Sequence, residues 1–120
     1  MLLHAVCDAL LGAAALGDIG GHFPDTEKKY KGISSVELLK AVCRDLKRRG
    51  FSVANIDSVI IAQEPNLTAS KKKIEEKISG VIKIPRARVS VKAKTHEGLG
   101  EIGKKKAIAA YAVALINKEG

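Results

Sequence analysis

Residues 58–62 read Ser-Val-Ile-Ile-Ala, and this short apolar run between turn-forming residues is typical of a buried strand. Further along the chain, residues 71–78 have the character of a short basic helix, and residues 89–93 alternate as a second strand does. Because strands that alternate with helices pack as layers, the sequence predicts an α/β or α+β fold, in which a small mixed sheet packs on helices.

Helices are also predicted on both sides of this strand-helix-strand unit. Residues 3–16 are apolar on nearly every side, which is typical of a buried helix. Ser34 and Glu37 form a capping box at the start of a helix that ends at Gly50. A final amphipathic helix is predicted from apolar residues at helical spacing: Ile108, Tyr111, Ala112, Leu115 and Ile116.

A chain of 120 residues corresponds to one domain. The predicted sheet is small for a domain of this length. Residues 51–53 are a candidate for a short extended segment, so only two strands are well signalled. Since a stable sheet normally contains three or more strands, we expect that the chain lacks a strand of its own sheet.

The composition favours an anionic partner, because the net charge is +8 and the pI is about 9.6. Nucleic acid and a polyphosphate metabolite are both candidates, and a merely solvated basic surface is the third reading. The aromatic residues Phe23, Tyr30, Phe51 and Tyr111 lie far apart in the sequence. Single-strand binding uses clustered aromatic side chains, so nucleic acid is the less favoured partner.

The two cysteines, Cys7 and Cys43, fall at apolar positions of predicted helices and have no motif spacing. They are interpreted as buried, reduced thiols, which suits the cytoplasm or another reducing compartment. No apolar run is long enough to span a membrane, and residues 1–4 show no feature of a signal peptide.

Four segments carry a resemblance to a known family. They are LHAVCDALLGAAALGDIG at 3–20, FPDT at 23–26, VIIAQEP at 59–65 and VKAKTHEGLG at 91–100. Together with the Ala-rich C-terminal segment, and in this order, they closely resemble the 2-C-methyl-D-erythritol 2,4-cyclodiphosphate synthase family. Several motifs in register are far more specific than any one of them.

The resemblance implies a homotrimer with active sites between subunits. The substrate would be nucleotide-linked, 4-diphosphocytidyl-2-C-methyl-D-erythritol 2-phosphate. Its 2-phosphate would attack the β-phosphate, which closes a cyclic diphosphate and releases CMP. Enzymes catalyse phosphoryl transfer of this kind mainly by positioning and charge neutralisation. Bacterial cytoplasm and plastid both fit such an enzyme of isoprenoid precursor synthesis.

The resemblance also implies metal ligands and a catalytic residue. His4 would be one of three ligands of a Zn²⁺ ion, with Asp8 one turn away to orient it. Glu97 would hold a Mg²⁺ or Mn²⁺ ion that bridges the substrate phosphates. Thr95 would donate a hydrogen bond to a phosphate oxygen in the transition state. Without the resemblance, a lone helical histidine is more often a hydrogen-bonded core or surface residue.

Substrate-binding residues follow from the same resemblance. The ribose turn would comprise Asp18, Ile19 and Gly20. The methylerythritol loop would comprise Phe23, Pro24, Asp25, Thr26 and Glu27. The cytosine loop would comprise Ala62, Gln63, Glu64, Pro65, Asn66, Leu67 and Thr68, and the diphosphate would meet Lys94 and His96. Glu101 and Lys104 are further candidates for substrate binding, although the family often has an aromatic residue and an arginine at these positions. By residue type alone, ordinary turns and a strand end explain these segments equally well.

One part of the family pattern has no counterpart in this sequence. The family has roughly 35–40 residues before the position of His4, judged by its usual domain size. They include a strand with an Asp-x-His pair and a hairpin. We therefore expect an N-terminally truncated synthase that binds Zn²⁺ poorly, turns over slowly or not at all, and forms a weakened trimer. The alternative is a basic nucleic-acid-binding module, although no such motif is present.

Overall fold

The computed structural model describes residues 1–24, 27–28, 32–62, 70–95, 97, 99–103 and 108–119. Its elements follow one another in the order α1 (Leu2–Ala13), α2 (Ile19–His22), α3 (Ser35–Arg48), β1 (Phe51–Ile61), α4 (Lys71–Ile82), a 3-10 helix (Arg86–Arg88), β2 (Val89–Lys94), α5 (Gly100–Gly103) and β3 (Ala109–Lys118).

The three strands form one mixed sheet in the order β2-β1-β3. Strand β1 runs parallel to β2, with Ile61 opposite Lys94, and antiparallel to β3, with Phe51 opposite Lys118. The antiparallel register shifts between Val53 and Asn55. The predicted fold class, a small mixed sheet packed on helices, is confirmed.

The predicted C-terminal helix is wrong, because this segment is strand β3. Four of its residues lie half-buried toward the helices, and the alternate ones are exposed, which is the period of a strand. The half-buried residues are Ala110, Ala112, Ala114 and Ile116, and the exposed ones are Tyr111, Val113 and Leu115. Apolar residues at every position fit either period, and pairing with β1 decides in favour of the strand.

The expectation of only two strands is wrong for the same reason, since β3 completes a three-stranded sheet. The extended segment at 51–53 and the run at 58–62 belong to one strand, β1, of 11 residues. Polar residues Asn55 and Asp57 interrupt the apolar pattern between them, although both lie within the strand.

The core lies between one face of the sheet and helices α1, α3 and α4. Leu10 and Leu39 are completely buried between the helices, and Ile56 is completely buried on the sheet. Burying a leucine contributes about 1.5–3 kcal/mol, so this layer is the main source of stability. It places the carboxyl ends of β1 and β2 at one edge of the molecule.

Both cysteines are free, and Cys7 is buried as predicted, whereas Cys43 is half-buried. Burial raises the pKa of the Cys7 thiol to about 12 and that of the Cys43 thiol to about 11. Thiols with pKa values this high carry almost no thiolate at neutral pH, and they are poor nucleophiles.

Ser34 caps α3 as the sequence predicts, because its Oγ accepts a hydrogen bond from Glu37 N at 3.1 Å. Replacing Ser34 with alanine is expected to lower the free energy of unfolding by about 1 kcal/mol, since one backbone N–H loses its partner. Urea denaturation monitored by circular dichroism measures the change. Ser34→Asp keeps a capping oxygen and should retain the stability, and an equal loss in both variants would contradict the capping role.

Candidate active site

The candidate site lies where the parallel strands β1 and β2 end. Ala62 N donates a hydrogen bond to the Lys94 carbonyl at 3.0 Å, which holds the two strand ends side by side. The segments that follow these strands therefore start next to each other. In open α/β sheets, ligands bind outside the carboxyl ends of the strands, so this edge is the natural place for a site.

A tight turn follows β2 and presents two functional groups. Thr95 Oγ1 accepts a hydrogen bond from Glu97 N at 3.2 Å, and both residues are exposed. Glu97 has a φ of 53°, a left-handed conformation that is uncommon for a residue other than glycine and that clusters at functional sites. A threonine hydroxyl that accepts one hydrogen bond can still donate its own hydrogen to a phosphate oxygen.

A second turn follows α1 and is held by two carboxylates. Asp18 Oδ1 accepts a hydrogen bond from Gly21 N at 2.9 Å and caps α2. Asp8 Oδ1 accepts one from Ile19 N at 2.8 Å, which ties the turn to α1. Because a carboxylate has acceptor sites on both oxygens, Asp18 can cap the helix and still accept from a sugar hydroxyl.

Neighbouring residues hold the same turn in place. His22 Nε2 donates to the carbonyl oxygen of Leu16, and Phe23 packs partly buried against the core. His22 is the last residue of α2 and lies half-buried. Pro24 is half-buried and Glu27 is exposed.

His4 is exposed on α1, and its Nε2 lies 3.3 Å from Ser35 Oγ at the start of α3. Sequence analysis named Asp8 as the residue that orients His4, whereas the carboxylate of Asp8 bonds to the turn after α1. Ser35 was not predicted as a partner of His4. Its only sequence signal is its position at a helix start, and the packing of α1 on α3 cannot be read from a single sequence.

The described residues do not fit a zinc site by themselves. Among them, no group of three or more His, Cys, Asp or Glu side chains could hold a metal ion. A catalytic zinc ion takes about three protein ligands, and His4 is a single one. Glu97 is different, because Mg²⁺ is usually bound by one or two carboxylates together with substrate phosphates.

Several predicted site residues lie outside the described residues: Asp25, Thr26, Gln63, Glu64, Pro65, Asn66, Leu67, Thr68, His96 and Lys104. Glu101 belongs to the short helix α5. The structure brings Ala62 together with Lys94 and the Thr95 turn. The hydrogen bonds of the Asp18 turn instead run to α1 and within the turn itself.

The fold and the site define an α/β protein in which an exposed threonine and an exposed carboxylate follow the end of β2, beside the end of the parallel strand β1. Comparison with known proteins identifies the family. Residues 1–117 match the YgbB family, and the chain belongs to it.

Curated and solved relatives agree with this assignment. The 2-C-methyl-D-erythritol 2,4-cyclodiphosphate synthase of Pelotomaculum thermopropionicum is 54% identical over 120 residues, which are 100% of this chain and 74% of that protein. The bifunctional IspDF from Campylobacter jejuni has a TM-score of 0.92 and 39% identity, over 98% of this chain and 32% of its own. IspF of Plasmodium falciparum in a CDP complex has a TM-score of 0.86 and 35% identity, over 98% of this chain and 70% of its own.

The relatives confirm the resemblance that the sequence motifs carried. They also agree with the fold, since these solved structures superpose on nearly all of the chain. Within the part of the chain that the structure describes, no helix has the length and apolar character needed to cross a membrane.

Proposed function

We propose that this chain provides the active-site framework of a 2-C-methyl-D-erythritol 2,4-cyclodiphosphate synthase, a lyase of the non-mevalonate isoprenoid pathway. The observation that carries the proposal is the 54% identity to a named synthase over 120 residues. The Thr95–Glu97 turn supports it, because it carries an exposed hydroxyl and directly follows Lys94, whose carbonyl oxygen accepts a hydrogen bond from Ala62 N.

In the proposed reaction, an oxygen of the 2-phosphate attacks the β-phosphorus of the diphosphate. A new P–O bond closes the cyclic diphosphate, the bond between the β-phosphorus and the bridging oxygen breaks, and CMP leaves with that electron pair. Charge builds up on the β-phosphate oxygens as this happens. Preorganised donors stabilise such charge most effectively, and Thr95 is the donor that we assign.

Glu97 would hold a divalent cation, Mg²⁺ or Mn²⁺, that neutralises the two phosphates when it is bound. The exposed carboxylate and its left-handed backbone support this role, because the turn directs Glu97 to the same edge as Thr95. Lys94 would add a point charge for phosphate.

The nucleotide and sugar would be bound by the other predicted segments. Ala62 and residues 63–68 would contact cytosine, the turn at Asp18 would accept from the ribose, and residues 23–27 would contact the methylerythritol part. His96 would lie at the diphosphate, and Glu101 and Lys104 are further candidates for substrate binding. The structural support is strongest for Ala62, which is fixed to Lys94 by a backbone hydrogen bond.

The protein would act as a homotrimer. The support is an apolar stripe on the open face of the sheet, formed by Tyr111, Val113 and Leu115, which are 61%, 71% and 62% exposed in the single chain. Contiguous exposed apolar residues of this kind mark interaction sites. A subunit interface on this face would let the Asp18 turn of one copy approach the Thr95 turn of another.

Binding of CDP by the chain tests the proposal directly. Isothermal titration calorimetry should detect saturable binding that Ala62→Trp abolishes, because Ala62 is buried and the larger indole would push the end of β1 away from Lys94. Ala87→Trp, at an exposed residue of the 3-10 helix, is the matched control. If CDP does not bind while short RNA or DNA binds with a steep salt dependence, the nucleic-acid-binding module replaces the synthase.

Zinc should bind weakly to the 120-residue polypeptide. A complete structural zinc site contributes about 10–16 kcal/mol, whereas one histidine among the described residues should give a Kd weaker than about 1 µM. Titration against a fluorescent zinc indicator measures this, and any residual binding should fall in His4→Ala and not in His22→Ala. Submicromolar binding that requires His4, or cyclodiphosphate formation at a normal enzymatic rate, would contradict this prediction.

A further inference from the structure

A cavity lies far from the candidate active site. It has a volume of about 870 Å³ and is lined by the second half of α3, the last turns of α4 and the first residues of β1. The site at Ala62 lies at the other end of β1, roughly 35 Å away at the usual rise of a strand. We call this space the α3–α4 cavity. Its size is that of a small-molecule site.

The inner wall of the α3–α4 cavity is apolar. Phe51, Val53, Val81 and Ile84 line it, and all four are half-buried side chains that pack against the core from its edge. The Cys43 thiol is also part of the wall, and its raised pKa keeps it neutral. A hydrocarbon group placed here would gain about 25 cal/mol for each Å² of apolar surface removed from water.

The rim of the cavity is cationic. Its five basic side chains face two carboxylates, Glu76 and Glu119, which leaves three positive charges in excess. The basic residues are Lys40, Arg44, Lys47, Lys77 and Lys83.

Three of these cations, Lys40, Arg44 and Lys47, form a stripe on one face of α3, since residues three and four apart are neighbours on a helix. Lys40 lies 3.6 Å from Glu37, but both side chains are about half exposed, and such surface pairs contribute little.

Gly80 widens the cavity from the α4 side. It lies inside the helix, where glycine costs roughly 0.5–1 kcal/mol relative to alanine. A Cβ atom added at Gly80 would meet no atom within 4 Å, so no neighbour in the described structure requires a glycine there. The missing side chain leaves open space at this side of the cavity.

We infer that the α3–α4 cavity binds an amphiphilic organic anion, with its hydrocarbon part against Phe51 and Val81 and its phosphate head at the rim of Arg44 and Lys47. The apolar wall and the cationic rim together indicate this class of ligand. An apolar wall alone would favour a neutral hydrophobe, and a cationic rim alone would favour inorganic phosphate or a polyanion. The inference is independent of the proposed synthase activity, because it uses none of the same residues.

Octyl phosphate, below its micelle-forming concentration, is the first probe. In a titration of the ¹⁵N-labelled chain, the amide signals of α3, α4 and the start of β1 should shift saturably. Gly80→Leu fills the cavity and should weaken binding at least about tenfold. Gly12→Leu is the matched control, since Gly12 lies in helix α1 and also has nothing within 4 Å of an added Cβ.

The head group is tested with octyl glucoside and inorganic phosphate. Both should bind at least about tenfold more weakly than octyl phosphate. Octyl glucoside lacks the charged head group, and inorganic phosphate lacks the hydrocarbon part. The double substitution Arg44→Gln with Lys47→Gln should remove the preference for octyl phosphate over octyl glucoside. Lys72→Gln with Lys73→Gln removes the same charge from exposed residues of α4 and should leave that preference unchanged.

Three outcomes would overturn the inference. The first is equal binding of octyl phosphate to the parent chain and to Gly80→Leu. The second is an equal loss of the preference for octyl phosphate over octyl glucoside in the two double-charge variants. The third is a short RNA that binds while octyl phosphate does not, which would make the rim a polyanion surface. CDP binding should be unchanged in Gly80→Leu, so failure of this inference is distinguishable from failure of the synthase proposal.

Discussion

Replacing Thr95 with alanine is expected to weaken CDP binding by about 10- to 150-fold. A hydrogen bond to a charged group contributes about 1.5–3 kcal/mol, and the Thr95 hydroxyl is the donor that we assign to the phosphate. The substitution also removes the acceptor for Glu97 N, so the turn that holds Glu97 in its left-handed conformation loses its side-chain bond. Both effects act on the phosphate end of the nucleotide.

Calorimetric titration with CDP, with and without Mg²⁺, measures this effect. Thr95→Ser is the matched control, because it keeps the hydroxyl as both donor and acceptor, and its affinity should stay within about threefold of the parent. The thermal midpoint should be unchanged in both variants, since Thr95 is exposed and outside the core. Equal affinity in the parent and in Thr95→Ala would exclude a phosphate contact at this residue.

Local sequence signals predicted most of this site's framework. The run at 58–62 and the alternation at 89–93 identified the two strands, and the hydrogen bond between Ala62 and Lys94 shows that their ends meet. The cap at Ser34 was equally local, because a capping residue and its partner are three positions apart. The two strands and the cap depend on neighbours along the chain, which a single sequence displays.

Contacts between distant segments were not predictable in the same way. Ser35 and His4 are 31 positions apart, and only the packing of α1 on α3 brings them together. A helix was predicted for strand β3 because an alanine-rich apolar segment fits the helical period and the strand period equally well. Its pairing with β1 supplied the choice, and that partner lies some 50 residues earlier in the chain.

The second large effect is expected for a substitution on the open face of β3, and it concerns self-association. Replacing Val113 with lysine is expected to raise the concentration at which the chain self-associates by at least about 100-fold, because like charges brought together at an interface cost several kcal/mol. In a trimer the substitution introduces three lysines at equivalent positions. Within one subunit the change should be nearly neutral, since Val113 is 71% exposed. Sedimentation velocity over a concentration series measures the association.

Ala87→Lys is the control, because it adds the same charge to an exposed residue of the 3-10 helix on another surface. It should leave both association and thermal stability as in the parent chain. If Val113→Lys associates like the parent, the stripe of Tyr111, Val113 and Leu115 is not the subunit interface. A fall in thermal stability at low concentration, where the chain is monomeric, would instead show that Val113 matters to the fold of one subunit.

The two substitutions separate the parts of the proposed mechanism. Thr95→Ala removes a phosphate contact and should weaken CDP binding while association stays intact. Val113→Lys leaves every assigned binding residue in place, and yet it should weaken CDP binding together with association, because the Asp18 turn of a neighbouring subunit would no longer approach the Thr95 turn. CDP binding by monomeric Val113→Lys with the parent's affinity would mean that one subunit forms the nucleotide site alone.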